Sequence, residues 1–235
     1  MLHVIAMELT VSPVELASRT ICFFLGAMLF VAMIVSLMRT IVVPRALRSF
    51  FTTMITLAVV NGAWALARLK RSYQGRDSVM AWAGPLIIIV TLLAWLIGFL
   101  LAYGLMIYGV GGNSFGDALA QSGSSLFTLG FDAGITQDQT ILDFMAAATG
   151  PIVIALMIGF LPTIYGIYTN REVAVTQVST EAGEPAWGPE FLVRAHLTNR
   201  LEANDDLFSS WAEWATTLRL THLTYPALVH VRSAR

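Results

Sequence analysis

The stretch Gln121–Gly134, QSGSSLFTLGFDAG, gathers the side chains of this sequence most suited to chemistry. Ser122, Ser124 and Ser125 are nearly consecutive, and the acids Asp117, Asp132, Asp138 and Asp143 lie within or beside the stretch. A serine nucleophile would need a base close by. No His or Lys occurs in the apolar runs on either side, and H-E-x-x-H and C-x-x-C are absent, so no enzymatic activity is expected. The second kind of chemistry belongs to the backbone. The stretch is too polar and glycine-rich for a continuous membrane helix and too apolar for an exposed loop. Non-helical backbone at membrane depth is tolerated where protein or a water-filled cavity surrounds it. A short helix over 115–127 that enters from outside, followed by a turn at 128–134, meets that condition. An ordinary extracellular loop is the alternative.

The elements that must position this stretch are membrane helices. Of 235 residues, 56% are hydrophobic and 12% charged, and mean hydropathy is +0.69. Soluble domains carry about 25% charged residues, so this chain cannot coat a soluble surface of its size. Net charge is -1, which gives no reason to expect nucleic acid as a partner. Cys22 is the single cysteine, lies in an apolar run and reads as a small hydrophobe. Three runs are long enough to span: Thr20–Met38, Gly84–Tyr108 and Phe144–Tyr168. The first exceeds a typical signal-peptide core. A fourth run, Ser49–Leu69, is long enough too, but it carries a polar or small stripe at helical spacing that suits an interfacial helix.

Charge orients these elements. No Lys or Arg occurs from Asp77 through Asn170. Basic residues gather at Arg39, Arg45 and Arg48, at Arg68, Lys70, Arg71 and Arg76, and from Arg171 onward. The positive-inside rule places these clusters and the C-terminal tail in the cytoplasm. Three spans with an outside N-terminus follow, and Ser49–Leu69 becomes a cytoplasmic-side helix. The expected organisation is an N-terminal part over 1–78, holding one span and an interfacial or second membrane helix, then a pore-forming part over 79–169 and a cytoplasmic helical domain over 170–235. In the tail, the turn-rich 183–189 reads as a connector that leads into short helices over 190–201 and 204–220. His3, His196, His222 and His230 show no ligand spacing.

DALAQSGSSLFTLGFD resembles the pore helix and selectivity filter of potassium channels, roughly A-L-x-x-S-x-x-T-x-T-T-V-G-Y-G-D. Ala118, Leu119, Ser122, Thr128 and Gly130 match directly, while Ser125, Leu129 and Phe131 stand for Thr, Val and Tyr. The segments LMRTIVVPR, SYQGRDSVMAWAGP, LPTIYGIYTNREVAV and SWAEWATTLRLTHLTYPALVHVRS are similar to a group of bacterial, mainly actinobacterial, channel-like membrane proteins. The resemblance implies an all-α membrane protein: a two-span pore module with a re-entrant pore helix, a filter-like loop and a small cytoplasmic helical tail. It implies Thr128, Leu129, Gly130, Phe131 and Asp132 as ion filter, with Ser122 and Ser125 on the pore helix. Potassium or another monovalent cation would be the permeant ion, with no further cofactor or metal. One filter-like loop per chain implies a homotetramer in the plasma membrane lipid. The sequence departs from the pattern at Asp132, where the family has its second filter glycine. Asp117, Asp138 and Asp143 would then raise cation concentration at the outer mouth. Gly159 and Pro162, in the inner helix, are candidates for a gating hinge. A channel-like membrane scaffold or sensor that does not conduct is the competing expectation.

Overall fold

A computed structural model describes residues 12–42, 50–111, 114–183, 187–201 and 203–224. Arg45, Arg48, His3, His230 and positions 184–186 of the tail connector lie outside the described residues.

All regular structure among the described residues is helical. Helix α1, Pro13–Leu37, starts where sequence chemistry favours a start: Ser12 accepts a hydrogen bond from the Glu15 N–H, and Pro13 takes the first helical position. A π-helical turn, Met38–Val42, continues it. Helix α2 covers Phe50–Arg68, and α3, capped by Ser72, covers Tyr73–Ala81. Helix α4 runs Ala83–Gly109 and α5 runs Phe115–Leu126. Helix α6 is the longest of the described helices, Gln137–Ala182. Helices α7, Gly188–Leu197, and α8, Ala203–Thr224, form the tail.

Four of these stretches are long and apolar enough to cross a membrane: Pro13–Ile41, Phe50–Arg68, Gln74–Gly109 and Gln137–Gln177. The chain therefore has the make-up of a multi-pass membrane protein. The three expected spans lie inside the first, third and fourth. Phe50–Arg68, expected at the interface, also has the length and composition of a span.

The chain packs as two compact units. The first comprises Met1–Val43, Arg48–Thr52 and Ile89–Ile158, so α1 packs with the segment that carries the filter-like loop. Small residues let α1 and α4 approach closely, as membrane helices do when they lack a hydrophobic driving force. A Cβ at Gly26 would stand 2.6 Å from the Ala102 carbonyl oxygen, and one at Gly109 would stand 2.6 Å from the Phe23 Cβ. Trp95, Phe99 and Tyr103 are fully buried on α4. Trp95 donates its indole N–H to Ser36 Oγ at 3.1 Å, which satisfies a donor that lipid could not. Phe30 packs edge-on against Phe99 and at a tilt against Tyr103.

The second unit comprises Pro44–Leu47, Thr53–Ile88 and Gly159–Arg235. Within it, Ala63 and Ala67 of α2 pack on Met80 and Ala83. Tyr168, Arg171, Trp214 and His222 line a small cavity beside α8. The tail helices match the expected pair, with α7 ending earlier because Asn199 turns into a left-handed conformation, φ 55°.

Candidate functional site: the filter-like loop and its supports

The site begins at the N-terminus of α5. Ser114 Oγ accepts from the Asp117 N–H at 3.1 Å and donates to Asp117 Oδ2 at 2.8 Å. Asp117 thus sits in the first turn, where a negative charge complements the helix dipole. Ser114 also centres the string GNSFG, Gly112–Gly116, which has the letters of a G-x-S-x-G nucleophile motif. Its hydroxyl is a helix cap, and it opens the short helix α5 after another helix rather than following a strand.

Helix α5 is held on two sides. Ser122 Oγ donates to the Leu100 carbonyl of α4 at 2.9 Å. Gly150 of α6 lies directly against the Leu126 carbonyl oxygen, where any Cβ would collide. Tyr103 and Thr149 share a hydrogen bond of 2.7 Å between α4 and α6.

The end of α5 shapes the loop. Thr128 N–H donates to the Ser125 carbonyl at 3.0 Å, and Leu129 N–H donates to the Ser124 carbonyl at 2.8 Å. These two bonds form a Schellman cap, which places its C′ residue in the left-handed region. That residue is Thr128, φ 54°, a β-branched side chain where glycine is usual. Gly130 follows with φ 73°, a conformation glycine adopts without steric cost.

Beyond Gly130 the loop is pinned by side chains from behind. Ser124 is fully buried, and its hydroxyl donates to the Asp132 carbonyl and accepts from the Asp132 N–H, both at 2.9 Å. Gly134 N–H donates to Asp143 Oδ2 at 2.7 Å. The Ile135 N–H donates to Gln139 Oε1 at 3.0 Å. Asp143 accepts further bonds from Ser125 Oγ at 2.8 Å and from Gln121 Nε2 at 3.1 and 3.0 Å.

The front of the loop is different. Leu129 and Phe131 are 64% and 69% exposed. Among the described residues no donor reaches the carbonyls of Thr128, Leu129, Gly130 or Phe131, whereas the Asp132 carbonyl is taken by Ser124. Four successive carbonyls thus lack an internal partner among the described residues, while the Asp132 carbonyl, at the fifth expected filter position, is held by Ser124.

The expected site residues fall into distinct places. Asp138 is exposed in the first turn of α6, and Asp117 is exposed at the start of α5. Asp143, expected with them at the outer mouth, is instead 9% exposed, with its carboxylate turned toward α5. The reason is the close seat of α6 on Leu126, which brings Asp143 within reach of Gln121 and Ser125. The hydroxyls of Ser122 and Ser125 hold α5 to its neighbours, whereas the Ser125 carbonyl accepts from the first loop residue, Thr128. Gly159 and Pro162 are exposed in an uninterrupted α6, and the boundary between the units falls at Ile158–Gly159. Sequence reasoning gave no separate role to Ser124, Gln121 or Gln139. Ser124 carried a signal, since it lies one turn before the left-handed position and is the residue whose carbonyl a Schellman cap uses.

Each serine hydroxyl of the stretch is committed to a structural bond, and no cluster of His, Cys, Asp and Glu among the described residues could hold a metal ion. Comparison of the chain with family models, curated proteins and solved structures finds no match.

Proposed function

We propose that the protein is a passive cation channel, with potassium as its permeant ion, formed by four copies around an axis lined by Thr128–Phe131. The supporting observation is the two-sided character of the loop. Its back is fixed by Ser124, Asp143 and Gln139, while four of its carbonyls have no partner among the described residues. A filter works by replacing an ion's hydration shell with oxygens of this kind. One loop supplies one side of such a ring, so four chains complete it. The acids Asp117 and Asp138, on a segment with no Lys or Arg, concentrate cations at its entrance.

In this reading the clusters around Arg39 and Arg71 and the tail are cytoplasmic, the membrane is the plasma membrane, and α5 enters from outside. The pore itself needs only that α4, the loop and α6 keep their orientation, and they do so even if Phe50–Arg68 crosses and leaves the Arg39 cluster outside. A non-conducting scaffold has one observation in its favour: Asp132 replaces a filter glycine and its carbonyl is withdrawn.

Inter-chain cross-linking separates a shared axis from an isolated loop. In a background with Cys22→Ser, cysteine at position 129 or 131 is treated in membranes with a short bifunctional thiol reagent. Linked dimers through to tetramers are expected, while cysteine at Ile97, exposed on α4, gives monomers. Monomers at 129 and 131 as well would rule out the shared axis.

A further inference from the structure

Asp143 is the one acid of the filter region that faces away from water and toward the loop's own supports. Four hydrogen bonds converge on its carboxylate: two from Gln121 Nε2, one from Ser125 Oγ and one from the Gly134 N–H. The first three come from α5, which precedes the loop. The fourth comes from the far end of the loop, and the acid itself sits on α6. One side chain thus ties the loop's origin, its return and the helix that follows it. The return is tight, since a Cβ at Gly134 would lie 2.5 Å from the Gln139 Cβ. Charge-assisted bonds of this kind are shorter and stronger than neutral ones. A site residue held by such a network keeps a single geometry, whereas loss of one partner leaves buried donors unpaired.

We infer that Asp143 is a positioning residue that sets the spacing of the Thr128–Phe131 carbonyls, and so the ion preference, through Gly134 and Ser125. This inference rests on the pore reading and assigns Asp143 a role distinct from that of Asp117 and Asp138. A mouth acid acts on ions through its charge; Asp143 acts on the backbone through its bonds.

The experiment uses the full-length protein in lipid with two variants, Asp143→Ala and Asp143→Asn, and two readouts. Asparagine keeps the volume and one acceptor oxygen; alanine keeps neither. The first readout is hydrogen exchange, which needs no conduction. Exchange across 128–136 is expected to rise about tenfold or more in Asp143→Ala, the worth of about one charged hydrogen bond, because the Gly134 N–H loses its acceptor, with α4 unchanged. Asp143→Asn is expected to fall between alanine and wild type. The second readout is the potassium-to-sodium permeability ratio, expected to fall about tenfold in Asp143→Ala and less in Asp143→Asn. Where Asp143→Ala fails to assemble, Asp143→Asn carries both readouts. Unchanged loop exchange in an assembled variant would overturn the latch. Faster loop exchange with an unchanged permeability ratio would overturn the positioning role. Equal loss of current in both variants at a constant ratio would identify a mouth acid acting by charge, and would also overturn it. If wild-type protein carries no current, the pore reading fails and the ion-preference role fails with it, while the exchange arm still decides whether Asp143 holds the loop.

Discussion

Helices α5 and α7 end alike and lead to different things. Each closes with a left-handed residue, Thr128 at φ 54° and Asn199 at φ 55°. In each, the next N–H reaches back to the same helical position at 2.8 Å, Leu129 to the Ser124 carbonyl and Arg200 to the Ala195 carbonyl. Asn tolerates this conformation because its short polar side chain can bond locally. Thr resists it, since a Cβ crowds the carbonyl by roughly 1–2 kcal/mol and branching adds to that. After Asn199 the chain soon enters α8. After Thr128 it enters a loop tied down by Ser124, Asp143 and Gln139. Strained backbone persists where its surroundings over-determine it, and such places tend to be functional. The difference separates a connector from a built loop.

The residue at the matching position is Ser124 in α5 and Ala195 in α7. Ser124→Ala converts the first cap into the second, removing both bonds to Asp132 and leaving a partly buried N–H unpaired. The expected cost is about 1–3 kcal/mol, read as a lower unfolding midpoint of the solubilised protein. An unchanged midpoint would mean that Ser124 does not hold the loop. Glycine at the left-handed position should act more weakly and unequally. Thr128→Gly is expected to stabilise by about 1 kcal/mol and Asn199→Gly by no more than a few tenths. Equal effects at the two positions would remove the claim that Thr128 is strained.

Much of this arrangement could be read before folding. Apolar run length marked helices long enough to span, and the short helix expected over 115–127 matches α5 to within a residue. The polar, glycine-rich composition of 128–134 marked non-helical backbone. Asp143 could not be placed in the same way. Its partners lie 22 and 18 positions earlier in the chain, and only the seat of Gly150 on Leu126 brings them together. Its sign and its place in an acid-rich segment suggested a solvated role. Ser122, Ser124 and Ser125 were equivalent by type, and their helical angles sent them to α4, the loop and α6 respectively. Ser49–Leu69 illustrates a different limit. Its hydropathy suits a span while the flanking basic residues argue for the cytoplasmic side, and a helix forms in either setting.

Whether the Thr128–Phe131 carbonyls carry ions is tested most directly by cation flux through purified protein in liposomes. Wild type is expected to pass potassium while excluding anions. Gly130→Val is expected to abolish that flux with insertion and assembly intact, because valine cannot hold φ 73° without severe strain and no span is touched. Wild-type flux through Gly130→Val would contradict the claim and leave the stretch as an anchored extracellular loop.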